Sequence, residues 1–246
     1  MMRSTPSIGI APGLVATAAF TALLGATAHA SLAAVDITAC GQLIPTDEIG
    51  VLQADLDCAS TPGIVLEEQG TLDFAGHRIT DASPYAVRCA GNVCTLRSSA
   101  GTGEIIGSAT AISVWGGRGP VQVSDLTIRD TGPFLVPTQG AIDAVDARLD
   151  LTRVRILNAT ANYGVIARRI RATDVQVSGG TGIGLFAIRS LVASNLTADG
   201  NGEIGVLAPL ATELVTPPGS HVPTGCPDYR DDCVKGIRID SFPLRA

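Results

Sequence analysis

Arg153-Val154-Arg155-Ile156, Asp174-Val175-Gln176-Val177 and Asn195-Leu196-Thr197-Ala198 recur at one fixed interval, their first residues being numbered 153, 174 and 195. Ahead of each lies a second pattern, a small residue followed by alternating apolar positions: Ala141-Ile142-Asp143-Ala144, Gly164-Val165-Ile166-Ala167, Gly184-Leu185-Phe186-Ala187 and Gly205-Val206-Leu207-Ala208. Two strands per repeat, separated by turns, describe a coil. Self-similarity at a period in the low twenties signals a solenoid, because one repeat cannot bury its own apolar face and must stack on its neighbours. A leucine-rich repeat shares the period but needs a fixed leucine frame that neighbouring repeats lack. A β-sandwich would place its strands roughly 8 to 12 residues apart without the longer echo.

Composition agrees with a stack of short strands and tight turns. The chain has 246 residues with 28 Gly and few aromatics, and a formal charge of −6. Lysine occurs once, at Lys235. With no basic cluster in the linear sequence, neither nucleic acid nor an anionic membrane is the expected partner.

Residues 1–30 read as an export signal. Arg3 precedes a mostly apolar run from Ile8 to Ala26, and Ala28-His29-Ala30 fits the small-x-small cleavage rule. Gly9, Pro12, Gly13 and Gly25 interrupt the run, which argues against a membrane span, so none is expected after signal removal. The location expected is secreted, periplasmic or at the cell surface. Six cysteines fall in close sequential pairs, Cys40 with Cys58, Cys89 with Cys94 and Cys226 with Cys233. An even count in an exported chain points to disulfides, although six cysteines allow fifteen pairings. Zinc is disfavoured because no pair has two-residue spacing and no histidine lies nearby.

Taken outward from the repeat, residues 31–62 read as an N-terminal cap, 63–209 as the solenoid and 210–246 as a C-terminal coil or cap holding the Cys226 to Cys233 loop. The first full coil is Gly63-Ile64-Val65-Leu66 followed by Thr71-Leu72-Asp73-Phe74-Ala75-Gly76-His77-Arg78-Ile79. This segment resembles the right-handed parallel β-helix proteins of the pectate-lyase-like superfamily, whose first coil often carries apolar-Asp-apolar-x-Gly-His-x-Ile. The resemblance implies an all-β, right-handed parallel β-helix, and later coils starting at Tyr85, Thr110, Gly140, Tyr163, Gly182 and Glu203 bring the count to about seven. It also implies that any active site lies on one parallel face beside projecting loops. The segment Thr131 to Gln139, punctuated by Pro133 and Pro137, is the expected projecting loop.

If Ile112, Ile142, Val165, Leu185 and Val206 point inward, then Ser113, Asp143, Ile166, Phe186 and Leu207 form one outward row. Trp115, Val145, Arg168, Ile188 and Pro209 form the next. So apolar a strip marks a contact surface, to be covered by the chain's own tail, by a second copy of the chain or by a sugar stacked on Trp115 and Phe186. Arg168 is the best-placed cation, suited to pairing a carboxylate. Asp143 and Asp146 invite comparison with an inverting carboxylate pair, but three apart on a strand they face opposite sides, and Asp146 is expected to pair with Arg169 of the next coil.

The arginine motifs of the lyases are not recognisable. Gly236-Ile237-Arg238-Ile239-Asp240 echoes a hydrolase motif with Asp240 where lysine is expected. Gly179-Gly180-Thr181-Gly182-Ile183-Gly184-Leu185 resembles a calcium-binding nonapeptide but has Gly184 in place of its aspartate, and His77 has no triad partner in view. No cofactor or metal is expected. The functional expectation is binding of an extracellular or cell-envelope polysaccharide through a face containing Trp115, Asp143, Arg168 and Phe186. The alternatives are a lyase or hydrolase of a uronic-acid polymer, and a structural or adhesive surface protein.

Overall fold

The computed structural model describes residues 34–59, 61–132, 140–203, 205–208 and, for the backbone, 211–215. They form strands and turns with no helix. In chain order the strands are β1 (Ala34–Ile37), β2 (Leu43–Ile44), β3 (Ile49–Leu52), β4 (Leu56–Asp57), β5 (Ile64–Leu66) and β6 (Thr71–Asp73). Next come β7 (Arg78–Thr80), β8 (Tyr85–Cys89), β9 (Cys94–Arg97), β10 (Gly103–Ile106), β11 (Thr110–Val114) and β12 (Pro120–Arg129). The last are β13 (Gly140–Leu157), β14 (Tyr163–Ser178), β15 (Ile183–Asp199), β16 (Val206–Leu207) and β17 (Ala211–Val215).

All paired strands run parallel, and the pairing resolves into three faces wound as a β-solenoid of about seven turns. Face I stacks β2, β5, β8, β11, the first part of β13 and β14, the start of β15, and β16. Face II stacks β1, β3, β6, β9, the front of β12, the middles of β13 to β15, and β17. Face III stacks β4, β7, β10 and the last parts of β12 to β15. Residues 34–57, read from the sequence as a cap, thus carry strands that continue all three faces.

Alternation fills the interior. Ile112, Ile142, Val165, Leu185 and Val206 are all buried and stack on face I, as the spacing predicts. On face III, Leu126 pairs with Val154 and Val175 with Leu196, all four side chains buried, and the same offset holds on either side of Val154 and Val175. Branched aliphatic side chains suit these positions, since each fits a pleated surface and fills the space beneath the next rung.

The corners explain why strands of 16 to 18 residues can bend. Between faces II and III, Asp125, Arg153, Asp174 and Asn195 each adopt φ near +55°. Asp and Asn tolerate that left-handed region, whereas arginine there is unusual. Arg153 is held by a bidentate pair to Asp125, with Nε 2.6 Å from Oδ1 and Nη2 2.8 Å from Oδ2. Two rungs on, Asn195 donates to Asp174 at 2.6 Å. Between faces III and I the left-handed column is Asp81, Gly107, Asp130, Asn158, Gly179 and Gly200. Glycine is required above Asn158, because a Cβ on Gly179 would sit 2.6 Å from the Asn158 Oδ1.

Two of the expected disulfides form, Cys40–Cys58 and Cys89–Cys94, with Cα separations of 5.6 and 6.1 Å. The first ties the loop after β1 to the end of β4; the second closes the corner from face I to face II. Both fit an oxidising, extracellular or periplasmic environment. Cys226, Cys233, Lys235, Asp240 and the signal-like residues 1–30 lie outside the described residues, as does the loop from Pro133 to Gln139. Among the described residues no helix is long and apolar enough to cross a membrane.

Candidate functional site

Faces II and III present mostly polar side chains outward, with Val51, Ile106, Leu157 and Val192 as half-buried exceptions. On face II the outward positions include Arg148, Asp150 and Thr152 on β13, with Arg169, Arg171 and Thr173 above them. Face I differs. Its outward column, read rung by rung, is Leu43, Val65, Arg88, Ser113, Asp143, Ile166, Phe186 and Leu207. Among the described residues the exposed large apolar side chains are Leu43, Trp115 and Val145, all on this face or its border.

The centre of the column is polar and partly dry. Ser113 is buried, and Asp143 and Arg88 are half-buried. Successive rungs lie about 4.8 Å apart, so the three side chains form a line of about 10 Å. Trp115 covers its edge. The indole Nε1 donates to Ser113 Oγ at 2.8 Å, and the Arg88 guanidinium carbon lies 4.2 Å from the indole centre and 5.8 Å from that of Tyr85. Both separations are within cation–π range. Trp115 is nevertheless 56% exposed, a flat aromatic surface with its orientation set from behind.

One group in this line lacks the partner that a buried polar atom usually finds, and a second is only sparsely matched. The Arg88 Nε is buried with no hydrogen-bond partner. Burial pushes the Asp143 carboxyl above the usual carboxylate range, opposed only by the backbone N–H of Val145. On face II, Asp73 shows the opposite outcome. Burial raises it too, but the N–H groups of Ser99 and Ala75, the Ser99 side chain and Arg97 outweigh that and hold it below the usual range.

The predicted site residues occupy distinct places. Asp143 and Phe186 lie in the outward column of face I, with Ile166 between them. Phe186 stacks on Tyr163, ring centres 5.4 Å apart, and is half-buried; Ile166 is 5% exposed although it stands outside the core cluster. Trp115 lies just past the end of β11, its N–H bonded to the Cys89 carbonyl.

Arg168 sits where the ladders lose register, between Ala167 and Arg169. Because of the matching shift between Ala144 and Arg148, Arg169 pairs in register with Arg148 and not with Asp146, so the expected Asp146–Arg169 pair is replaced. Arg168 instead belongs to a cationic corner. Its guanidinium is pushed below its ordinary value by Arg189, then by burial, Arg118 and Arg169, with Asp146 opposing. The fold thus assembles from several rungs a basic cluster that the linear sequence does not contain.

Arg88 also lines this candidate site and was missed by sequence reasoning, which placed Ser113 in the outward row without giving it a role. Ser113 pairs with Arg88 below it and Asp143 above it across two rungs of unequal length, both longer than the repeat of the later coils. His77, without a visible partner in sequence, lies 3.4 Å from Asp55, which also pairs with Arg78 at 2.9 Å. An open groove of about 530 Å³ runs along the corner between faces III and I, lined by Asp57, Asp81, Ser83 and Gly107 among others. Among the described residues no group of three or more His, Cys, Asp or Glu is placed to hold a metal ion. No family model, curated protein or solved structure matches this chain.

Proposed function

We propose that this protein is an exported β-helix protein of the pectate-lyase-like type that binds an extracellular or cell-envelope polysaccharide along face I. The observation that carries the reading is Trp115, exposed yet immobilised between Arg88 and Ser113. Sugar rings offer an apolar C–H face that stacks on such a surface, and the neighbouring polar row supplies hydrogen bonds to hydroxyls. Export is supported by the signal-like residues 1–30 together with the two disulfides. The apolar flanks at Leu43 and Phe186 extend the surface along the stacking direction of the rungs, as a polymer requires.

A second reading, cleavage of a uronic-acid polymer, draws on Asp143, a half-buried carboxyl with a raised pKa, since an acid of this kind can protonate a leaving oxygen. One experiment addresses both. Full-length protein is applied to a panel of immobilised neutral and acidic glycans, and the soluble phase is assayed for unsaturated and reducing ends. Binding without new ends, weakened at least about tenfold by Trp115→Ala, supports the binder. New ends favour catalysis. Retention of no glycan removes the first reading.

A further inference from the structure

The polar line on face I has a donor arrangement that its neighbours do not use. Ser113 Oγ already accepts from the Trp115 indole, so its own O–H is free to donate outward. Arg88 is held by its cation–π contacts and not by a carboxylate, and its Nε is buried without a partner. Guanidinium and hydroxyl together match the fork of a carboxylate, which accepts two hydrogen bonds side by side. Asp143 stands one rung beyond Ser113 and is no partner to Arg88. As an anion it repels an incoming carboxylate; protonated, it becomes a third donor in the same line.

The charged and titratable groups around Asp143 come from each neighbouring rung. Tyr85 and Arg88 lie on β8, Arg118 follows Trp115, Asp146 follows on its own strand, Tyr163 and Arg168 lie on the rung above, and Arg189 on the next. None of these forms a salt bridge with Asp143 among the described residues. The arginines at the corner make the approach to the line favourable for anions, while the Asp143 carboxyl at its far end has no arginine partner.

We propose that Arg88 and Ser113 form a subsite for a carboxylate group of the bound glycan, and that Asp143 gates this subsite, admitting the anion when its own carboxyl carries a proton. The proposal rests on the polysaccharide-binding reading and adds to it the ligand's charge and a dependence on pH. Binding of the anion is then coupled to uptake of one proton. Affinity falls about tenfold per pH unit once pH exceeds the folded-state pKa of Asp143 and is level below it.

The test measures, by calorimetry on the full chain, binding of a carboxylate-bearing alginate oligosaccharide, its methyl ester and a single-stranded DNA of similar length, from about pH 5 to about pH 8. The free acid is expected to bind more weakly as pH rises, whereas the ester binds equally across the range. In Asp143→Asn the free acid keeps its low-pH affinity throughout. In Arg88→Gln the free acid loses at least about tenfold more affinity at low pH than the ester does, and Arg88→Lys recovers only part of that difference. Far-ultraviolet circular dichroism on each variant establishes that it folds.

The proposal is overturned if acid and ester bind alike at every pH, in which case polysaccharide binding itself survives. It is also overturned if Asp143→Asn retains the wild-type pH slope, or if the DNA binds as tightly as the acid with the same slope. Failure of both glycans to bind removes the subsite and the parent reading together.

Discussion

Faces I and II are built from the same inward-pointing aliphatic columns and differ in what they turn outward. On face II, the buried carboxylate of Asp73 is satisfied by two backbone N–H groups and by Arg97 at 3.2 Å. On face I, the half-buried carboxyl of Asp143 has one backbone donor, while Arg88, two rungs away, spends its charge on aromatic rings. Where polar groups are matched to each other, the surface is finished by its own chain. Where they are left unmatched beside an exposed indole, the surface keeps hydrogen-bonding capacity that the proposed ligand would take up.

If the faces differ only outside, truncations inside are expected to fall in the same range on each. Ile142→Ala on face I and Leu151→Ala on face II are each expected to lose about 2–5 kcal/mol, read by chemical denaturation. A large disparity between them would break the comparison at its base. The two aspartates sharpen it. Asp73 has a lowered pKa, so its stabilisation is present above the unfolded carboxylate value and is lost as pH falls through the folded one. Asp73→Asn should therefore destabilise at neutral pH by about 1–3 kcal/mol, the cost of losing charge-assisted hydrogen bonds.

Asp143 has a raised pKa, and its sign is opposite. Its contribution is whole below the unfolded value and disappears as pH rises through the folded one. Asp143→Asn should leave the melting temperature at neutral pH unchanged or higher, and a fall comparable to that of Asp73→Asn would place both carboxylates in the same structural role. A smaller effect is expected of the exposed groups. Trp115→Ala should weaken glycan binding by about tenfold, near 1.4 kcal/mol, with little change in melting, whereas Arg148→Ala on face II should leave binding as it was. Smallest of all, Arg153→Ala should barely move the melting temperature despite the bidentate contact to Asp125, since that pair is open to solvent.

The later rungs were legible because their spacing is nearly constant. Val165, Leu185 and Val206 fall in one column at almost equal offsets, and a period that regular shows without coordinates. The disulfides Cys40–Cys58 and Cys89–Cys94 were legible as close sequential pairs, their cysteines 18 and 5 residues apart. What escaped lies where spacing breaks. The extra residues between Ala144 and Arg148 shift the ladder, so counting forward from Asp143 aligned Asp146 with the wrong neighbour. Arg88 entered the site through two long, unequal rungs, and the cluster of Arg118, Arg168, Arg169 and Arg189 exists only once the corner is folded. The strands within residues 34–57 are two to four residues long, too short for alternation to separate them from turns.

The left-handed corner column from Asp81 to Gly200 hands each turn to the next with the same backbone geometry, whichever turn it is. A duplicated copy of Tyr163–Gly182 spliced in after Gly182 would therefore begin and end on matching conformations and add one storey of about 4.8 Å. Chain length acts here as a ruler. The reach of the surface can be reset by whole-storey duplication while the chemistry around Trp115 stays as it is.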